Sequence, residues 1–300
     1  MHEACQAEST AQTTRSRFHA ILDRRVKEAA ERKELKNELQ NELNSPRTVV
    51  AHVQGQFPFL PAMASALPTL WTRTSLFSSL RKGERRILKN QKLEGRVDCI
   101  VRVSGEELDL YDNDVFLRVV QLAQGTFPGE PLYFERSSFL RAIGRGSDLS
   151  SESYRRLQDS MERLARSTIF VEGQEGGESF RLIDKIKWGV NGNYYITMDP
   201  VIISAFINPA FIDMGVRFRL KSPLAKYLQN YISGHAVGVH RIACEKLRNW
   251  SGSQGRLRDF CSRLRTALGE LESEGIIRDW EIEDDVARWT RNPHPKSKKY

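Results

Sequence analysis

The stretch GRLRDFCSRLRTALGELESEG (255–275) sorts its charges by position. Arg256, Arg258, Arg263 and Arg265 lie in front, and Glu270, Glu272 and Glu274 lie behind. Leu257, Phe260, Cys261, Leu264, Ala267, Leu268 and Leu271 recur at three- and four-residue intervals, which gathers them on one face of a helix. The opposite face then carries Arg258, Asp259, Ser262, Arg265 and Thr266, with Arg256 and Arg263 at its flank. Arginine forks and hydroxyls beside the outward-pointing N–H groups of a helix start suit a polyanion. The helix dipole favours acids in front and bases behind, so it does not explain the order. A second stretch, 151–166, has the same design. Tyr154, Leu157, Met161 and Leu164 share one face, while Arg155, Arg156, Asp159, Arg163 and Arg166 occupy the other, with Ser151 and Ser153 near the start. The chemistry both stretches offer is contact with phosphates and base edges.

Covalent chemistry finds no comparable constellation. There is no G-x-x-x-x-G-K-[ST] loop, and Gly144 and Gly146 in AIGRGSD read as a turn between helices. The six histidines form no H-x-x-x-H pair, and His235 and His240 stand five apart across AVG. Asp112 and Asp114 in LDLYDNDVF invite a carboxylate-pair reading, but a spacing of two sends them to different helix faces, so helix N-terminal charge is the simpler account. Neither a metal, a cofactor nor a catalytic residue is expected. A nicking nuclease, which needs a metal beside a tyrosine, is disfavoured.

Three hundred residues with 40% hydrophobic and 28% charged content describe a globular chain able to bury one or two cores. The net charge of +8 favours an acidic partner. Cys5, Cys99, Cys244 and Cys261 have neither zinc-site nor disulfide spacing, and with no signal-peptide start or membrane-length apolar run the expected location is the cytoplasm.

The elements that must position the two basic helices follow one order twice. Residues 1–66 read as a flexible extension containing a charged helix over 14–43, with a Pro-containing linker up to Pro68. Eight Lys or Arg against two Glu then fill 69–96, a run that is either solvated surface or a phosphate track. The first copy, in 67–200, runs helix (106–124), short strand (132–134), helix (137–143), turn, and the basic helix 151–166. TIFVEG, SFRLIDKIKWGV and NYYITMD follow as its β-sheet. The second copy, in 201–300, runs helix (222–233), VHRIA, helix (244–250), the turn SGSQG, and the basic helix 255–273. IIRDWEIEDD and VARWTR close it as a hairpin, with a tail containing Arg288, Arg291, Lys296, Lys298 and Lys299. This order predicts an α+β, mainly helical chain with two tandem winged-helix domains, each placing its third helix in a DNA groove. A winged-helix transcriptional repressor is the alternative, although a repressor ordinarily gains its second half-site from a dimer partner.

From about Leu67 to Trp289 the chain resembles the TrfA-type plasmid replication initiators. The resemblance rests on LPTLWTRTSLFSSLRKGERR, YDNDVFLRVVQLA, PLYFERSSFLRAIGR, YRRLQDSMERLA and GRLRDFCSRLRTALGEL. It implies binding to directly repeated double-stranded origin sites (iterons), opening of an adjacent AT-rich duplex with contact to its single strands, and recruitment of the host helicase and sliding clamp. It also implies an equilibrium between homodimers and active monomers. The family carries a clamp-binding pentapeptide of the form Q-L-S-L-F. Residues 73–77 read RTSLF, so Ser75, Leu76 and Phe77 match while Arg73 and Thr74 depart. On the clamp reading this segment is at least partly exposed; on the alternative, Leu76 and Phe77 pack the apolar face of an amphipathic helix.

Overall fold

The structure, a computed structural model, describes residues 60, 63–80, 85–95, 99–127, 129–173, 176–189 and 191–293. The helix expected over 14–43 and the tail residues Lys296, Lys298 and Lys299 lie outside them. Strand β1 (Ala64–Pro68) leads through a 3-10 turn to β2 (Phe77–Ser78), β3 (Ile87–Lys92), β4 (Ile100–Glu106) and β5 (Leu108–Asp109). Helix α1 (Leu110–Leu122), β6 (Leu132–Glu135), α2 (Arg136–Ala142) and α3 (Ser151–Arg166) follow, then β7 (Thr168–Gly173), β8 (Gly176–Arg181), β9 (Lys185–Trp188) and β10 (Asn193–Thr197). A 3-10 helix (Pro200–Ile207), β11 (Pro209–Asp213) and α4 (Met214–Arg219) connect to α5 (Pro223–Ser233), β12 (Gly238–Ala243), α6 (Cys244–Trp250), α7 (Leu257–Ser273), β13 (Ile277–Glu283) and β14 (Val286–Arg291).

Local chemistry explains where the main helices begin. Asp109 accepts from the backbone N–H groups of Tyr111 and Asp112, and the Asp112 carboxylate accepts from the Asp109 N–H, which closes a capping box on α1. Ser150 caps α3, and Ser222 caps α5 with Pro223 at its first position. Helix α7 differs. Its N-cap is Arg256, whose side chain makes no capping bond.

The element order α1–β6–α2–α3–β9–β10 recurs as α5–β12–α6–α7–β13–β14. Both three-stranded sheets have the first strand beside the last, in the orders β6–β10–β9 and β12–β14–β13. The chain is therefore α+β, with helices and strands in similar measure among the described residues rather than mainly helices. One expectation needs correction. TIFVEG and the start of SFRLID do not belong to the sheet of β10; they form β7 and β8, which extend a separate four-stranded sheet in the order β3–β4–β7–β8. Val103 of β4 stands opposite Ile169 of β7, and both are buried, so the inward alternation of β7 matches a strand that the sequence pattern left unassigned. The hairpin that completes the first three-stranded sheet is β9–β10.

Each repeat has its own core. Trp71, Phe77, Phe116, Phe139, Leu157, Met161 and Leu164 belong to the first, and Tyr227, Leu228, Phe260, Leu264, Leu268 and Trp289 to the second. The repeats are also joined. β1, the end of the stretch read as a linker, is fully buried and pairs antiparallel with β11. The turn before α3 needs Gly144, at φ +74°, because a Cβ there would meet Phe218 Cγ of α4 at 2.9 Å. The turn before α7 is sealed likewise: Gly252, at φ +66°, faces Ser78 of β2, and Ser79 N donates to Ser251 O at 2.7 Å.

Candidate nucleic-acid interface

Helix α7 separates its charges as the sequence indicates, and its neighbours explain the rear half. Glu270 accepts from the backbone N–H of Lys221 at 2.7 Å and of Ser222 at 3.2 Å, at the N-terminus of α5. Glu272 accepts from Trp280 Nε1 at 3.0 Å, and Glu274 pairs with Arg219 Nε at 2.7 Å. The rear glutamates are held by the protein. In front, Arg256, Arg258, Asp259, Ser262 and Arg265 are all exposed, and among the described residues neither Arg258 nor Arg265 takes part in an ion pair or a side-chain hydrogen bond. Arg263 is half-buried, its guanidinium near the Phe260 ring and one nitrogen 3.4 Å from Gln254 O, so it lines the flank. With an uncapped helix start beside them, these residues present a cationic, hydrogen-bonding front.

Helix α3 is more committed to the protein than its sequence suggests. Ser151, Arg155, Arg156, Asp159 and Arg166 are exposed. Arg155 pairs with Glu152 at 2.6 Å and Arg166 with Glu162, both on the helix surface, where such pairs are weak and readily exchanged for a phosphate. The Arg156 guanidinium lies 4.0 Å from the Tyr111 ring centroid, a contact that aims it without neutralising it. Ser153 is half-buried, and its hydroxyl donates to Asp148 Oδ2 at 2.6 Å. That bond, with others from Ser150, holds the Asp148 carboxyl below its ordinary range.

Arg163 departs from the expected DNA face. Its side chain is 12% exposed and donates to Asp112 Oδ1 at 2.9 Å, beside Ser160, whose hydroxyl donates to the same oxygen at 2.6 Å. Arg85 reaches Asp112 Oδ2 at 2.8 Å from the other side. Burial alone would raise the Asp112 pKa, but the hydrogen bonds and charge of Arg163, with the charge of Arg85, hold it below the usual carboxylate range. The reason lies in helix geometry: Arg163 sits between the apolar stripe and the exposed face, and a buried carboxylate within reach draws it inward. Asp112 is thus more than N-terminal charge. Asp114 does leave by another face, as its spacing requires, and meets buried Arg217 at 2.6 Å.

Ser75, Leu76 and Phe77 also depart from expectation. Leu76 and Phe77 are each 3% exposed and belong to the first core, where the Phe77 ring stacks on Phe116 at 5.8 Å between centroids; Ser75 is only partly exposed. The apolar pair that the resemblance assigns to the clamp is therefore core packing. Within the basic run 69–96, Arg85 and Arg86 are likewise tied to carboxylates, whereas Lys89 and Lys92 on β3 are exposed.

Sequence reasoning missed Lys185 and Lys187. Both are exposed on β9, in the hairpin that stands to α3 as β13–β14 stands to α7. The alternation KIKW marks a half-buried strand, but the stretch SFRLIDKIKWGV, expected as one strand, breaks after Arg181 into β8 and β9, which lie in different sheets. Arg241, Arg278 and Arg288 occupy exposed positions of the second sheet, with Arg241 directly opposite Arg288. Among the described residues no group of three or more metal-ligating side chains occurs, and no helix is long and apolar enough to cross a membrane.

Comparison with known proteins adds a family. The model of the family described as replication initiator protein A matches residues 71–271, more than half of the chain. No curated protein matches in sequence. Among solved structures, domains 2 and 3 of RctB align with a TM-score of 0.52 at 12% identity, covering 76% of this chain and 99% of that one. A second structure of the same RctB domains gives 0.47 at 10% identity, covering 75% and 97%. The Pi initiator protein in complex with iteron DNA gives 0.46 at 13%, covering 60% and 92%. At such identities the RctB likeness at 0.52 speaks to the fold alone.

Proposed function

Because the chain belongs to the replication initiator protein A family, we propose that it is a DNA-binding plasmid replication initiator built on two tandem winged helices, with α3 and α7 reading duplex DNA at repeated origin sites. The observation that carries this reading is the division of labour along α7. Its rear glutamates are bound to Lys221, Ser222, Trp280 and Arg219, while Arg258 and Arg265 stand exposed at the front. A merely solvated helix gives no reason for that order. A helix entering a groove does, since carboxylates near phosphates would be repelled and arginines would be held. The repeated element order supports two such helices per chain, and β9–β10 and β13–β14 are the corresponding wings, with Lys185, Lys187, Arg278 and Arg288 suited to backbone phosphates.

On this reading the chain performs no covalent chemistry. It binds in the cytoplasm, promotes local opening of the duplex and brings the host helicase to it. The test is incubation of the full chain with supercoiled DNA carrying its origin. Protection of repeated sites with local melting and intact strands supports the proposal. Strand cleavage by the chain alone overturns the non-enzymatic reading, and protection confined to the promoter of its own gene would favour a repressor.

A further inference from the structure

Three consecutive residues of α1 tie both DNA-facing helices to one point. Asp112 holds α3 through Ser160 and Arg163. Asp114 Oδ1 accepts from Arg217 Nε at 2.6 Å, and its other oxygen accepts from Lys226 Nζ. Between them, Asn113 Oδ1 accepts from Arg217 Nη2 at 2.6 Å and from Asn230 Nδ2 at 2.8 Å. Arg217 Nη1 completes the set, donating to Asn230 Oδ1 and to Lys226 O, each at 2.9 Å. The Arg217 side chain is 0% exposed and that of Asp114 3%. Lys226 and Asn230 belong to α5, which packs on α7 in the second core. An unbroken path of directional bonds and packing therefore runs from α3 through 112–114 and Arg217 to α7.

Apolar surfaces alone can slide. A buried guanidinium with every nitrogen bound to a fixed oxygen has one geometry, and leaving it half-satisfied is costly, so such a network specifies an arrangement more than it adds stability. Duplex DNA makes that arrangement consequential: one inserted base pair shifts the next contact by ~3.4 Å and turns it by roughly a tenth of a helical turn.

We propose that Asp112, Asn113 and Asp114 are positioning residues that fix the separation and angle of α3 and α7, and thereby set the spacing between the two parts of a DNA site that one chain can read. The proposal rests on the DNA-reading role of those two helices. Its test uses the full chain and a pool of random-sequence duplexes from which bound molecules are selected. The natural chain should recover a two-part motif with a single spacing. Asp114→Asn, and separately Lys226→Met, should recover the same two parts with the spacing spread over several base pairs. On the motif carrying one inserted base pair, the natural chain should lose about tenfold in affinity and the variants about twofold. Melting curves establish that each variant is folded; should Asp114→Asn fail to fold, Lys226→Met decides, because Lys226 lies at the rim of the network and Arg217 keeps its pair with Asp114. Folded variants that retain the single spacing overturn the proposal, as does a natural chain that tolerates the insertion. Arg155→Ala and Arg258→Ala test the underlying reading separately, since each should weaken binding or relax selection within one part of the motif whatever the spacing does.

Discussion

Arg163 Nη2 donates to Asp112 Oδ1 at 2.9 Å, joining the inner side of α3 to the first turn of α1 with the carboxylate fully buried. An arginine that sequence periodicity places on the DNA side of α3 is thus a structural tie. Arg163→Ala removes one of the two guanidinium partners of a buried carboxylate that keeps Arg85 and Ser160, and should destabilise the protein by about 1.5–3 kcal/mol. Arg155→Ala, at an exposed position, should leave the melting temperature within a degree or two and lower DNA affinity instead. Thermal melting and DNA titration of the two variants side by side check the contrast. Equal effects on melting would contradict it.

On α7, Arg258→Ala and Arg265→Ala should each weaken binding by about 1–3 kcal/mol where the lost contact is to a base, with selection relaxed at that position. A lost phosphate contact should weaken all sequences alike and reduce the salt slope by roughly one unit. Affinity measured across a salt series separates the two. Unchanged affinity for both variants would remove α7 from the interface.

Leu76→Ala and Phe77→Ala should each cost about 2–5 kcal/mol, because both side chains fill the first core. Chemical denaturation measures the loss. A variant that melts like the natural protein would place these residues at the surface after all.

The pH dependence of stability should show His235. Burial outweighs the opposing hydrogen bond to Tyr231 O and, with smaller contributions from the charges of Arg73, His240 and Arg291, lowers its pKa from 6.5 to about 4. The unfolded chain then binds more protons than the folded one between these values, so this contribution is fully present above pH 6.5 and is lost as the pH falls towards 4. His235→Phe should flatten the unfolding free energy across that window. A slope that persists unchanged would show that other groups produce it.

Asp112 has the same sign lower on the scale. Its folded pKa lies below the ordinary carboxylate value of 3.8, so its contribution is present above that value and is lost on further acidification. Asp112→Asn should therefore differ most from the natural protein at neutral pH, and the difference should shrink as both are acidified. A gap that stays constant down to strong acid would show that Asp112 is not ionised in the folded state.

The periodic parts of this protein were legible in its sequence. Leu257, Phe260, Leu264, Leu268 and Leu271 announce α7 and its buried face, and Tyr154, Leu157, Met161 and Leu164 do so for α3, because a helix repeats every 3.6 residues whatever surrounds it. The order of elements in both repeats follows from such local signals, and so does the departure of Asp112 and Asp114 to different faces. Sheet partners were not legible. TIFVEG alternates correctly for either sheet, and only the presence of β4 beside it decides.

The tertiary structure also decided which charges are available. Arg163 and Arg155 are equally arginine and both lie off the apolar stripe, yet one faces Asp112 and the other solvent. Leu76 and Phe77 match a peptide motif, but Phe116 and the first core cover them. Arg217 gives no local sign that it will meet Asp114, more than a hundred residues earlier in the chain. The physical reason is common to all three. Helix periodicity is set by the backbone within one turn, whereas burial and pairing depend on which distant surfaces the fold brings within a few ångströms.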